Sequence, residues 1–257
     1  MRFLISVIIF LFMFTAAQAE LVTKTVEYMH GDVVLEGYLA WDDSFGANIP
    51  GVMVVHEWTG INDYTKQRVE MLAKMGYVAF AADIYGKGIR PKNTDEASKQ
   101  ATIYRSDREL MRARAQAGLN YLRELDLSNP TKLAAIGYCF GGGVVLELAR
   151  SGAEVNGVVS FHGNLDTPNP EDAKNILGKL LVQHGAADPY VPHEQVMAFW
   201  DEMNNAGVDW YMTAYGGAVH SFTNPNSGDD PSTGAAYDAH ADKRSWQEMQ
   251  DFFNEIF

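Results

Sequence analysis

Apolar positions along this chain fall into short unbroken or alternating runs, set between segments whose apolar residues recur at helical spacing. Residues 21–29 and 33–41 are β-rich on either side of His30, Gly31 and Asp32, which predicts an antiparallel hairpin at the start of the domain. Residues 51–55 and 78–82 are buried-strand runs, and residues 62–75 between them read as a helix. After a break at residues 91–93, residues 94–125 have helical composition and divide near residues 105–107. Asn129 and Pro130 end that stretch before a strand over residues 133–138. A helix then begins near Gly142, and further strands fall at residues 155–161, 180–184 and 210–215. A helix from about His193 to Asn205 separates the last two, and a final one runs from about Ala235 to Phe257.

This alternation calls for right-handed crossovers and an α/β fold: a mostly parallel twisted sheet, helices on both faces, opened by the antiparallel hairpin. With no repeat, low-complexity tract or linker to divide it, residues 20–257 are expected to form one domain. Residues 224–233, rich in Asn, Ser, Gly, Asp and Pro, make the most loop-like internal stretch, and we place them at the mouth of the site.

Composition narrows the function classes. A formal charge of −13 repels phosphate backbones and anionic membrane surfaces, which argues against a nucleic-acid or peripheral-lipid partner. Arg2, the apolar run over residues 3–16 and the small-x-small triplet Ala17-Gln18-Ala19 read as a signal peptide over residues 1–19, with a mature chain beginning near Glu20. An uncleaved anchor helix is the alternative, but the run is shorter than the roughly 20 apolar residues that span a bilayer. Cleavage implies a periplasmic or secreted protein with no stable membrane insertion. The single cysteine, Cys139, then sits in an oxidising compartment with no internal partner. A small buried hydrophobe is its bland reading, and only local sequence can overturn that.

The local sequence does so. Residues 133–144 spell a buried strand, a glycine-bounded turn and an apolar helix, with Cys139 at the bend between Gly137 and Gly141. A nucleophile elbow needs small residues at those flanks, because strand and helix backbones crowd the strained turn. The helix N-terminus there favours a thiolate, and the Phe140 N–H points where an oxyanion would form. An acid and then a histidine should follow on loops beyond later strands. Asp188 leaves the strand at residues 180–184 on a turn, and His220 lies just past the strand at residues 210–215. Singly, Asp188 could be an ordinary Asp-Pro turn and His220 a surface or metal-binding side chain; in order and in place they point to one site. The second oxyanion donor is expected from the loop after residues 51–55, with the Trp58 N–H as candidate. Glu57, beside it, is either a solvated loop acid or a buried carboxylate with a partner.

At His56-Glu57-Trp58-x-Gly60, Ala82-Asp83-Ile84-Tyr85-Gly86, Gly137 to Gly142, Asp188-x-x-Val191-Pro192 and His220-Ser221-Phe222 the chain resembles the dienelactone hydrolase (carboxymethylenebutenolidase) family. The resemblance implies an α/β-hydrolase fold and a carboxylic ester hydrolase with Cys139 as nucleophile, His220 as base and Asp188 as orienting acid. It further implies that Glu57 gates the thiol, accepting its hydrogen bond at rest until substrate displaces the carboxylate. Such gating would shield a lone cysteine from oxidation. One departure bears on substrate: where well-studied members carry a carboxylate-holding arginine two residues after His-Ser-Phe, this chain has Asn224. A second family arginine comes from the region after Asp-x-Tyr, and none of Arg90, Arg105 and Arg108 is singled out by sequence for that place.

The expected reaction is hydrolysis of a small ester or lactone through a thiol-ester acyl-enzyme, with Tyr85 and Asn224 in the substrate pocket. A neutral ester or a thioester fits Asn224 at least as well as a dienelactone acid. No cofactor is required, and no metal is expected, since the seven histidines show no H-x-x-x-H pair. His162 and His184 read as strand-end caps. A papain-like protease conflicts with the strand-turn-helix context, while a non-catalytic small-molecule-binding protein on a hydrolase scaffold stays open.

Overall fold

The computed structural model describes residues 20–257; the expected signal segment lies outside the described residues. Eight strands form one sheet: β1 (Leu21–His30), β2 (Val33–Asp42), β3 (Ile49–Val55), β4 (Val78–Ala82), β5 (Ser128–Tyr138), β6 (Gly157–Phe161), β7 (Lys179–Gly185) and β8 (Trp210–Tyr215). Their spatial order is β1-β2-β4-β3-β5-β6-β7-β8. The opening hairpin pairs antiparallel and joins β4 antiparallel, while every pair from β4 to β8 is parallel.

Side chains alternate across the parallel strands, and the two faces bury different helices. Met53, Val55, Leu133 and Ala135 point to the face covered by α3 (Arg108–Arg123), α4 (Phe140–Arg150) and α5 (His193–Ala206). Val52, Val54, Ala134 and Ile136 point to the other, covered by α1 (Asp63–Ala73) and α6 (Ala239–Ile256). With helices on both sides the central strands carry no polar face, which is why β4 reads Val-Ala-Phe-Ala-Ala and is buried throughout.

Several boundaries move from their expected places, three of them with a visible cause. β5 begins at Ser128, ahead of Pro130, because Ser128 and Asn129 pair with Ile49 and Pro50 before the register jumps to Gly51 opposite Leu133. The intervening residues bulge out of the ladder, so proline displaces no hydrogen bond. β6 starts at Gly157, since Asn156 instead stitches the strand ends, its Oδ1 accepting from the Leu133 N–H at 2.9 Å. The last helix starts at Ala239, where the Asp238 carboxylate caps the N–H groups of His240 and Ala241. Residues 235–236 are used elsewhere: Ala235 bridges His220 in strand fashion. The break in the long helical stretch falls at Asp107, which ends α2 (Thr94–Ser106) and caps α3.

Strand order positions the site. From β3 the chain steps one way to β4, then crosses back to β5 on the other side. The loops leaving β3 and β5 therefore diverge and open a crevice at their carboxyl ends, the switch point where α/β sheets bind ligands.

Candidate active site

Cys139 sits where β5 turns into α4, with φ 55° and ψ −117°. Few non-glycine residues hold positive φ, and the strain is sustained only where the surroundings fix it. Glycine at both flanks is obligatory: a Cβ on Gly137 would overlap the Gly141 carbonyl, and one on Gly141 would overlap the Val55 carbonyl. That packing lets α4 begin directly at Phe140. Among the described residues no protein acceptor takes the backbone N–H of Phe140, nor that of Trp58 on the β3 loop.

His220, from the loop after β8, brings Nε2 to 3.0 Å from the Cys139 sulfur. Its Nδ1 lies 2.8 Å from Oδ2 of Asp188, on the loop after β7. The other Asp188 oxygen accepts the Tyr190 N–H at 2.8 Å. The His220 backbone is clamped in turn, donating to Gly234 and accepting from Ala236. The three side chains chosen by chain order thus converge, all of them buried. Burial alone would lower the His220 pKa, but the adjacent Cys139 sulfur and the Asp188 carboxylate outweigh it and hold the imidazole well above the ordinary histidine range.

Glu57 is buried beside them, and its partners are Asn224 and Ser221: Asn224 Nδ2 donates at 2.7 Å and Ser221 Oγ at 3.4 Å. Among the described residues no hydrogen bond joins Glu57 to Cys139, whose sulfur faces His220 instead. Burial pushes the Glu57 carboxyl up, against the lowering effect of Asn224, the His220 charge and Ser221. Asn224, expected to face substrate, is itself buried, and its Oδ1 accepts the Asn226 N–H. Both ends of this amide are committed inside the protein. The loop expected at the mouth, residues 224–233, borders the site at both ends: Asn224 holds Glu57, and the Thr233 carbonyl accepts from Tyr190, whose ring stands 5.3 Å from that of His220, while Pro225 and residues 228–233 are exposed.

Tyr85, Trp58 and Phe140 lie together: Tyr85 Oη donates to the Trp58 carbonyl at 2.8 Å, and its ring lies 5.5 Å from Phe140. Of the three arginines, Arg105 reaches this wall, with its guanidinium 5.9 Å from the Phe140 ring centre. Arg90 pairs with Glu36 and Asp83, and Arg108 with Asp166. His56 is structural: its Nδ1 meets the Glu57 carbonyl and its Nε2 accepts the Ile84 N–H.

Sequence reading missed the part His162 takes. It does stand at the end of β6, yet its Nδ1 is 3.1 Å from the Cys139 backbone nitrogen and its Nε2 2.7 Å from Thr223 Oγ1. The available signal was positional, since β6 is the one parallel strand between the elbow and Asp188 whose carboxyl end had been given no task.

A mostly parallel sheet, a strained glycine-flanked elbow and a histidine and an acid delivered from the next carboxyl-end loops define an α/β-hydrolase. The chain belongs to the dienelactone hydrolase family, whose model matches residues 35–257. It is similar to the solved structure of m3DLH, with 40% identity, 92% of this chain and 99% of that one covered, and a TM-score of 0.89. It is equally similar to P91, a dienelactone hydrolase-like promiscuous phosphotriesterase from metagenomic libraries, at 40% identity, 92% and 99% coverage and a TM-score of 0.88. Protein usf of Aquifex pyrophilus is 28% identical over 237 residues, 90% of this chain and 98% of the relative.

Proposed function

We propose that this hydrolase cleaves small esters or lactones with Cys139 as nucleophile, His220 as base and Asp188 as the acid that orients it. The reading rests on one observation, the continuous contact from sulfur through imidazole to carboxylate at 3.0 and 2.8 Å. His220 takes the thiol proton, and the thiolate attacks the carbonyl carbon. The Trp58 and Phe140 N–H groups receive the oxyanion. Collapse expels the alcohol oxygen, which leaves with the proton from His220, and the acyl group stays on sulfur as a thiol ester. Water, deprotonated by His220, then releases the acid and restores the thiol. Glu57 gates this thiol in our reading; the support is family resemblance, and its carboxylate has Asn224 to return to.

With Asn224 turned inward to Glu57, a neutral ester is the better-fitting substrate, and Arg105 is the cation left to meet a substrate carboxylate. The deciding measurement is hydrolysis of p-nitrophenyl acetate beside a dienelactone acid, in wild type and Cys139→Ala. Neutral-ester turnover that vanishes in the variant is expected; turnover that survives it removes Cys139 from catalysis. Absence of any burst with activated esters, together with no iodoacetamide labelling of Cys139, favours a binding protein instead.

A second activity, on neutral phosphotriesters, is favoured by the 40% identity to P91 over nearly the whole chain. The thiolate would attack phosphorus and displace an aryl oxide, the same two N–H groups holding the phosphoryl oxygen, and water, deprotonated by His220, would then cleave the S–P bond, releasing the phosphodiester and restoring the thiol. Release of p-nitrophenol from a p-nitrophenyl phosphotriester, lost in Cys139→Ala, tests it. Residues 1–19 further support export to the periplasm or beyond; mature protein beginning at Met1 would refute that.

A further inference from the structure

Four non-glycine residues among those described hold positive φ: Asn48, Cys139, His162 and Ser221. Three of the four meet at one place. Cys139 is the bend of the elbow, His162 ends β6 with φ 40°, and Ser221, with φ 57°, directly follows His220. Strained backbone persists only where neighbouring contacts over-determine it. Here the three strained turns share a connector, the His162 side chain.

The chemistry of that ring is fixed by its partners. The Cys139 N–H is shared between the Phe161 carbonyl at 3.0 Å and Nδ1 of His162 at 3.1 Å, so Nδ1 is the bare nitrogen and Nε2 carries the hydrogen given to Thr223 Oγ1. Burial, with the charges of His220 and Arg68 adding to it, holds the imidazole neutral, well below the ordinary histidine range. Thr223 lies three residues past His220 and is anchored from behind, its hydroxyl 2.6 Å from Tyr64 Oη and its carbonyl accepting from Arg68 at 2.6 Å. The ring itself stands 5.4 Å from the His220 ring, at 66°. His162 has no oxygen or sulfur of the reacting group to touch; what it spans is the gap between the elbow and the loop that brings His220.

We propose that His162 and Thr223 are positioning residues: one imidazole, bonded to the Cys139 N–H on one side and the Thr223 hydroxyl on the other, sets the separation of the Cys139 sulfur from His220. The inference rests on the nucleophile and base assigned above. The bridge acts on the alignment of two reacting groups, for which an error of about 1 Å costs up to about a hundredfold in rate. It leaves the substrate pocket untouched, so its loss falls on kcat and spares KM.

The test uses Thr223→Val, which keeps the shape and removes the hydroxyl, Thr223→Ser, which restores it, and His162→Asn. Asn places an acceptor where Nδ1 stands, tolerates positive φ and falls short of Thr223. Steady-state hydrolysis of p-nitrophenyl acetate, the pH profile of iodoacetamide alkylation of Cys139 and thermal melts are read together, with Cys139→Ala alongside. Thr223→Val and His162→Asn are each expected to lower kcat about tenfold with KM within about twofold. Both should slow alkylation at neutral pH, while Thr223→Ser, which keeps the hydroxyl that His162 bonds, should stay close to wild type in kcat and alkylation. The double variant should lose no more than the singles, because both remove the same bond. Additive losses, or single variants within about twofold of wild type in kcat and alkylation while Cys139→Ala is inactive, overturn the bridge and leave the nucleophile standing. Activity in Cys139→Ala overturns the nucleophile itself. If Thr223→Val melts too low to assay, the His162→Asn and Thr223→Ser results carry the same decision.

Discussion

Asp188 gives one oxygen to the His220 imidazole and the other to the Tyr190 backbone, so the carboxylate cannot rotate away from the ring. It fixes the tautomer that presents the bare Nε2 to sulfur and stabilises the imidazolium once the proton has moved. Asp188→Asn keeps the shape and reverses that preference. A fall in kcat of roughly three to four orders of magnitude is expected, measured with p-nitrophenyl acetate, with little change in the thermal melt. Glu57 offers a test of a different kind. Its folded-state pKa lies above the ordinary value because burial disfavours its charged form. The folded protein therefore holds the Glu57 proton more tightly than the unfolded chain does. Stability from this group is present below about pH 4.3 and is lost as pH rises through the folded pKa. Glu57→Gln cannot ionise. Urea unfolding of variant and wild type should show the variant gaining relative stability as pH rises from about 4.3 through the range where the folded carboxyl ionises, and an unchanged difference would mean that the carboxyl is charged at little cost.

The elbow is the element on which the site depends. Gly137 and Gly141 lie where β5, α4 and the end of β3 approach backbone to backbone, and a methyl group at either would overlap a carbonyl that belongs to the sheet or the helix. Gly137→Ala and Gly141→Ala are expected to lower the melting temperature and abolish ester hydrolysis together. Gly143, one position further along α4 than Gly142, makes the contrast: a Cβ there meets nothing nearer than 3.4 Å, from the Asn164 carbonyl. Gly143→Ala should fold at least as stably as wild type, since alanine in a helix interior is favoured over glycine by up to about 1 kcal/mol. Three melts and three activity assays separate the two kinds of glycine.

At the scale of the whole molecule, α4 is tied to its surroundings by a buried ionic network. Arg150, at its last turn and 1% exposed, donates through Nε and Nη2 to the Glu202 carboxylate of α5 at 2.7 and 2.8 Å. Its Nη1 reaches Glu147 at 3.0 Å, and Nη2 also serves the Leu165 carbonyl. Arg112 of α3 extends the network from Glu147 to Asp172. Three segments, α3, the stretch over residues 165–172 and α5, thus hold the helix that begins at the nucleophile. Arg150→Met leaves the buried Glu147 without this partner and Glu202 without its paired cation. Removing one member of a buried ion pair costs about 3 to 5 kcal/mol, and that loss is expected in urea unfolding, with kcat per folded molecule close to wild type.

The sequence by itself determined the alternation of strands and helices, the bend at Cys139 and the order of acid and histidine behind it. Each depends on neighbours along the chain: apolar runs long enough for buried strands, glycines at fixed offsets, a helix pattern after each turn. The relations between loops were decided by tertiary structure. Glu57, Ser221 and Asn224 find one another across more than 160 residues of chain, and nothing local to Asn224 marks it as turned inward. His162 looked like a strand-end residue because it is one; its partners, Cys139 and Thr223, arrive from other strands. Pro130 within β5 and the late start of α6 have the same cause, since a bulge and a strand-like bridge to His220 require a partner segment to be in place. Local pattern fixes which groups reach the carboxyl edge of the sheet, and strand order, which no local window contains, fixes which of them touch.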